Sequence, residues 1–116
     1  MNVYHIFCTL KEGASDMVFA EALANWLDHL KTEGMIEAWR LMRRKLGLGP
    51  DDLGEFHIMI ETASLAALDE AFALAARRTG KAEKLHFEVT RKIKTVKFAL
   101  YRDFPDPGRK TGGELF

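Results

Sequence analysis

The stretch from Arg40 to Glu61, RLMRRKLGLGPDDLGEFHIMIE, constrains the fold more than any other part of the sequence. It begins with a basic run, continues through glycines, a proline and paired aspartates, and ends in a run that alternates apolar and polar residues. Glycine, proline and aspartate together are typical of a loop, and two-residue alternation is typical of a half-buried strand. The pattern therefore predicts strands at 36–46 and 55–62, joined by a loop at 47–54.

Alternation also sorts the side chains of the strand at 55–62 onto two faces of a sheet. Phe56, Ile58 and Ile60 form its apolar face, which we expect to face the core. His57 and Met59 then point to the opposite face. The cations of the preceding strand suit the edge of a sheet, because charge there discourages pairing with other chains.

The remaining elements follow from hydrophobic periodicity and helix caps. They are a strand at 3–10, a helix at 16–33 capped by Ser15, a helix that begins after Ser64 and ends at Gly80, a short helix at 81–92 and a strand at 95–102. This β-α-β-β-α-(α)-β order contains two βαβ halves, each with a right-handed crossover. The expected fold is α+β and ferredoxin-like, a four-stranded antiparallel sheet with helices on one face and the first and third strands in the centre.

Periodicity also predicts which side chains are buried in the second half of the chain. The second helix should bury Leu65, Leu68, Phe72 and Ala75, and the last strand should point Val96, Phe98 and Leu100 inward. We predict a single domain over 1–103. Residues 104–116, FPDPGRKTGGELF, contain two prolines and three glycines and are expected to form a C-terminal tail.

Composition excludes several classes of protein. Seventeen basic residues balance seventeen acidic ones, so no overall field favours binding to nucleic acid or to an anionic membrane. The only cysteine, Cys8, excludes an internal disulfide and fits a reducing compartment. We find neither a signal-peptide pattern nor the roughly 18 consecutive apolar residues of a membrane span. The expectation is a cytoplasmic, soluble protein that contacts neither nucleic acid nor membrane.

The helix-free face of the expected sheet is too apolar to lie open to water. It should carry His5, Phe7, His57, Met59 and Tyr101, and monomers seldom expose a contiguous patch of this kind. We therefore predict a homodimer in which two copies pack these faces together by two-fold symmetry. Imidazoles among aromatic rings also suit a partly open cleft that holds a small-molecule ligand.

The sequence resembles a known superfamily at this point. Its element order and helix-free face are similar to those of the dimeric α+β barrel proteins, and the segments NVYH, RRKLGLGP, LGEFHIMIE and FALYRDFPDP resemble an uncharacterised bacterial family with this fold. The resemblance covers about residues 1–107. It implies cofactor-free oxidation, isomerisation or haem-linked chemistry as candidate activities, without choosing between them, because a fold hosts many functions.

Six residues are the candidate site. His57 and His5 are the predicted catalytic pair, because an imidazole can act as a general base near neutral pH. Phe7, Arg40, Met59 and Tyr101 are the predicted ligand contacts. The competing interpretation is structural: the histidines satisfy each other or a partner at the interface, and Arg40, with Arg43 and Arg44, solubilises an edge strand. We predict no metal and no cofactor.

Two other motifs are set aside. GLGPDDLG has neither nucleotide-binding spacing nor a following helix, and His86-Phe87-Glu88 lacks the cysteines of a zinc deaminase. Cys8 and Trp26 fit the core, whereas alternation leaves the face of Trp39 undecided. The sequence thus predicts a dimer that binds a small apolar or aromatic ligand and acts in the manner of a cofactor-free monooxygenase or isomerase. The alternative is a non-catalytic dimeric module in stress response or protein interaction.

Overall fold

A computed structural model of the chain describes residues 1–77 and 80–105. Seven elements follow one another along these residues: β1 (Asn2–Leu10), α1 (Asp16–Thr32), β2 (Ala38–Arg43), β3 (Phe56–Thr62), α2 (Leu65–Ala76), α3 (Gly80–Thr90) and β4 (Ile93–Arg102). Both predicted long helices begin at serine caps: Ser15 Oγ accepts from the Val18 amide at 3.2 Å, and Ser64 Oγ accepts from the Ala67 amide at 3.1 Å.

The four strands form one sheet in the order β2-β3-β1-β4, in which every neighbouring pair is antiparallel. This is the predicted ferredoxin-like arrangement, with the first and third strands in the centre. Register pairs Ile6 of β1 with Ile58 of β3 and with Phe98 of β4. Side chains of paired residues share a face, so these three point to the side on which the helices pack.

The core lies between that side of the sheet and α1. Helix α1 buries a stripe at helical spacing, Phe19, Leu23, Trp26, Leu27 and Leu30, against Cys8 and the apolar residues of β3. Cys8 is fully buried, and burial raises the pKa of its thiol to about 11. It is therefore protonated at neutral pH, which confirms a packing role over a nucleophilic one.

Helix α2 packs less closely than the sequence predicts. It ends at Ala76, and Gly80 begins α3 instead of ending α2. Leu68 is buried as expected, but Leu65 and Phe72 are 46% and 45% exposed, which contradicts their predicted burial. Six of the twelve residues of α2 are alanines, whose short side chains cannot fill the space between a helix and the sheet.

Strand β2 is shorter than predicted, and the arginines at its end make specific contacts. The strand ends at Arg43, whose side chain pairs with Glu55 at 2.8 Å and with Asp16 at 2.9 Å. Arg44 donates to the carbonyls of Pro50 and Leu53, both at 2.7 Å, and so holds the β2–β3 loop. Both arginines thus have structural partners within the chain.

Strand β4 follows the predicted alternation but lies only partly beneath the helices. Val96, Phe98 and Leu100 are on the helix side of the sheet through their pairing with β1. They are nonetheless 42%, 59% and 52% exposed, so the expectation that they are buried is wrong. The alternation gave their direction correctly, but no helix covers this edge of the sheet closely enough to bury them.

The predicted tail falls largely outside the described residues, of which Phe104 and Pro105 are the last. The division into a domain at 1–103 and a tail at 104–116 stays a prediction. Within the described part of the chain, no helix is long and apolar enough to cross a membrane.

Candidate functional site

An open cleft separates the helices from the β1–β4 side of the sheet. It has two adjoining parts of about 310 and 360 Å³. The two parts share five lining residues, Ile6, Trp26, Ile60, His86 and Phe98, and together we call them the helix–sheet cleft. Its remaining walls are mainly apolar side chains of all three helices and of β4.

Alanines of α2 line the second part of this cleft. Ala71, Ala75 and Ala76 lie there together with Tyr4 and Phe98. Tyr4 stacks on Phe98, with ring centroids 5.7 Å apart, and meets the edge of the ring of Phe72, a residue of α2, at 5.1 Å. Phe72 thus reaches the sheet, whereas the alanines of the same helix are too short to fill the space beside it. An apolar molecule fits between these aromatic and alanine side chains.

His86 is the imidazole of the helix–sheet cleft. Its ring lies 5.0 Å from that of Trp26, and burial lowers the pKa of His86. Among the residues that the structure describes, none forms a hydrogen bond with this ring. A half-buried, neutral imidazole without a protein partner can accept a proton from a bound molecule or form a hydrogen bond to it.

The helix-free face carries the predicted catalytic pair. His5 and His57 lie on adjacent strands, and His5 Nδ1 and His57 Nε2 are 2.9 Å apart, within hydrogen-bond distance. One nitrogen donates and the other accepts, so at least one of the two must be unprotonated. Burial lowers the pKa of both histidines, and the neighbouring His5 lowers that of His57 further. The pair is therefore neutral at pH 7, and each facing nitrogen is occupied.

The predicted ligand contacts surround this pair. Phe7 stacks on His57 at 4.3 Å between centroids, and Tyr101 meets His5 edge-on at 5.1 Å. Met59 pairs with His5 across the strands, and Arg40 pairs with Met59. The structure thus brings all six predicted residues to one face. Arg40 and Met59 also line a shallow depression of about 220 Å³ at the β2 edge.

The β2–β3 loop crosses one end of this face. Asp52 forms an ion pair with Lys97 at 3.2 Å, and Lys97 shares its face with Phe7 through the β1–β4 register. A Cβ on Gly54 would lie 2.4 Å from the backbone of Cys8, so only glycine allows the loop to approach β1 this closely. The loop is therefore a connector that closes the end of the face beside Phe7.

The sequence interpretation missed the role of His86, although a signal was present. Ala82, His86 and Val89 recur at helical spacing, and Ala82 and Val89 are buried, which places the imidazole on the inner side of α3. His86 was considered only as part of a zinc deaminase motif, together with Phe87 and Glu88. Trp39, whose face alternation left open, lies on the helix side and donates from Nε1 to Asp28 at 2.7 Å.

The described parts of the chain contain no cluster of side chains that could bind a metal ion. No group of three or more histidine, cysteine, aspartate or glutamate side chains lies close enough there to hold an ion. His5 and His57 supply two nitrogens, fewer than the three protein ligands of typical catalytic zinc sites.

Solved structures with the same fold are similar to the chain over most of its length. The Arabidopsis thaliana protein At3g17210 has a TM-score of 0.67 and 14% identity, over 89% of this chain and 95% of that one. SnoaB, a cofactor-independent oxygenase from Streptomyces nogalater, has a TM-score of 0.66 and 10% identity, over 93% and 97%. A dimeric ferredoxin-like protein of unknown function from Jannaschia has a TM-score of 0.62 and 18% identity, over 89% and 100%.

At these identities the likeness establishes the ferredoxin-like fold alone, and it transfers no residue role. No functionally curated protein matches the sequence at a significant level. The model of a family of unknown function (DUF6614) matches residues 1–116, and the chain is therefore a member of that family.

Proposed function

We propose that the helix–sheet cleft binds a small, flat, apolar or aromatic molecule. The observation that carries the proposal is the cleft itself, two adjoining spaces of about 310 and 360 Å³ with mainly apolar walls and one imidazole. Small-molecule sites in proteins typically combine a concavity of this size with few polar groups. A core packed to normal density would leave no such space.

His86 gives this cleft a proton acceptor. Abstraction of a proton from an activated carbon or a phenol begins both isomerisation and cofactor-free oxygenation, and neither requires a bound metal for that step. The likeness to SnoaB, a cofactor-independent oxygenase, supports this class of chemistry at the level of the fold alone. We propose His86 as the base of such a step, with the ligand held between Trp26 and Phe98.

We further propose that the helix-free face packs against a second copy of the chain. It presents a row of stacked rings, Phe7, His57, His5 and Tyr101, and Tyr101 is 65% exposed. Covering these rings would remove their apolar surface from water. Fold relatives described as dimeric ferredoxin-like proteins support this arrangement.

A second candidate function uses the space between two such faces. There, His5 and His57 would be catalytic, and Phe7, Arg40, Met59 and Tyr101 would contact the ligand, as the sequence predicts. The hydrogen bond between the two imidazoles favours instead the non-catalytic alternative, in which they satisfy each other inside an interface. An imidazole pair whose facing nitrogens are already occupied has less capacity for proton transfer than the unpartnered His86.

The experiment compares two Ala→Phe variants of α2. Ala75→Phe places a ring in the cleft, whereas Ala73→Phe places the same ring on the exposed side of the helix. The neutral fluorophore phenylnaphthylamine should bind wild type and Ala73→Phe alike, and Ala75→Phe about tenfold or more weakly. Equal binding by all three proteins would refute the cleft as the site.

His86→Gln tests the proton transfer separately from binding. Native mass spectrometry of the purified protein reports any co-purifying compound. Incubation in deuterated solvent should then label a carbon-bound position of that compound about 100-fold faster with wild type than with the variant, since general-base catalysis contributes at least this much. Equal labelling would exclude His86 as the base and leave the binding proposal standing.

A further inference from the structure

Few of the residues that line the first part of the helix–sheet cleft are polar. They are His86 and Thr90 of α3 and Lys94 of β4. The other ten lining residues are apolar. A molecule that fills this part of the cleft therefore meets mainly apolar side chains and only a few polar groups.

Lys94 is the one charged side chain that lines this part of the cleft. It lies where the register between β1 and β4 shifts, between the pairs Thr9–Thr95 and Leu10–Ile93. Within residues 1–77 and 80–105, no carboxylate lies within ion-pair distance of its ammonium group. Lys94 is exposed, so its attraction for a bound anion is that of a pair partly screened by solvent.

The neighbouring charges do not neutralise it. Lys92 is buried and donates to the Glu88 carbonyl at 2.7 Å, and its ammonium pairs with the Glu88 carboxylate at 3.2 Å. The same carboxylate pairs with Arg91 at 3.0 Å, so Glu88 is already engaged by two cations. A shallower depression beyond His86 is lined by Arg77 and Glu83, one cation and one anion, and adds no net charge.

We infer that the molecule bound in the cleft is an apolar acid: a flat hydrocarbon or aromatic body with one anionic oxygen group, such as a carboxylate, held by Lys94. The apolar side chains contact the body of the molecule, the ammonium binds the anion, and neutral His86 lines the same part of the cleft. This inference rests on the proposed function of the cleft and narrows its ligand to one charge class.

Two fluorophores with the same ring system test this inference. Phenylnaphthylamine is neutral, and anilinonaphthalene sulfonate differs from it by one anionic group. In a Trp39→Phe background, Trp26 is the only tryptophan and lines both parts of the cleft. Quenching of Trp26 then reports occupancy of the cleft by either probe. The variants are Lys94→Met and, as the matched control, Lys97→Met, on the same strand but the opposite face.

We expect Lys94→Met to weaken binding of the sulfonate about fivefold, as the loss of a partly exposed ion pair implies, and to leave phenylnaphthylamine binding unchanged. Lys97→Met should alter neither affinity. If both probes quench Trp26 and Lys94→Met changes their ratio no more than Lys97→Met does, the charge inference is wrong while the cleft stands. If neither probe quenches Trp26 in any protein, both the cleft and the inference fail.

Discussion

Both faces of the sheet carry histidine, but the described residues provide hydrogen-bond partners only for the histidines of the helix-free face. On the helix-free face, His5 and His57 hydrogen-bond to each other at 2.9 Å. On the helix side, His86 lines an open cleft and has no hydrogen-bond partner among the described residues. Burial lowers the pKa of all three, so the direction of the shift does not distinguish them. The partner does.

The difference in hydrogen bonding indicates which face of the sheet is suited to association and which to ligand binding. Polar groups that hydrogen-bond to one another can be buried at little cost in free energy. A face that carries such groups can therefore pack against a second protein surface. A neutral imidazole beside unfilled space can still form its bonds with a ligand. This difference supports the proposal that the helix-free face associates with a second copy and that the helix side binds a ligand.

The largest expected effect comes from placing a carboxylate on each face in turn. Phe7→Asp puts a charge into the ring stack beside His57, and Phe98→Asp puts one into the wall of the helix–sheet cleft. Phe7→Asp should raise the dimer dissociation constant at least about 30-fold, the loss of one central contact. Phe98→Asp should leave the dimer intact and abolish binding of phenylnaphthylamine.

Sedimentation velocity and the fluorescence titration measure the two effects on the same samples. The proposed roles of the two faces are wrong if Phe98→Asp dissociates the dimer and Phe7→Asp does not. In that case the exposed helix side of β4 would be the contact between copies.

Much of the fold and the helix-free face could be predicted because alternation fixes the direction of each side chain. His5 and His57 were expected on one face of adjacent central strands, and register places them there. The 2.9 Å contact could not be predicted, because it depends on a diagonal pairing that the sequence does not specify. Alternation identifies the face, and register sets the distance.

The helix–sheet cleft could not be predicted in the same way. Phe98 alternates inward as expected, but alternation does not say whether an opposing side chain is long enough to reach it. The prediction did not take account of the alanines of α2, which fit helical periodicity but are too short to fill volume. The end of β2 was misjudged for a similar reason, since Arg44 leaves the strand pattern to bind the carbonyls of the following loop.

A smaller effect is expected from pH. Unfolded histidine titrates near pH 6.5, and the folded pKa values of His5 and His57 are lower. The unfolded state therefore takes up protons first as the pH falls below about 6.5, and stability declines until the folded pKa values are reached. Above about pH 7.5 both states are neutral and this contribution is absent. Urea unfolding between pH 8 and pH 5 should show the decline.

Variants separate the two faces in this pH dependence. The double variant His5→Gln with His57→Gln keeps hydrogen-bonding groups but removes two titrating ones, so the decline should become shallower. His86→Gln should remove a smaller part, from the helix side. An unchanged slope in the double variant would show that the helix-free imidazoles are as accessible to protons as in the unfolded chain.

The smallest expected effect concerns one threonine on each face. Thr62 is 1% exposed on the helix side, and in the described residues its Oγ1 is the only fully buried side-chain oxygen or nitrogen without a hydrogen-bond partner. Thr62→Val should raise the free energy of unfolding by about 1 kcal/mol, because it removes an unpaired hydroxyl and keeps the shape. Thr9, on the helix-free face, has its hydroxyl hydrogen-bonded to that of Thr95. Thr9→Val should lower the free energy of unfolding by about 0.5 kcal/mol. Urea unfolding of both variants measures the signs, and equal signs would mean that satisfaction of polar groups does not distinguish the two faces.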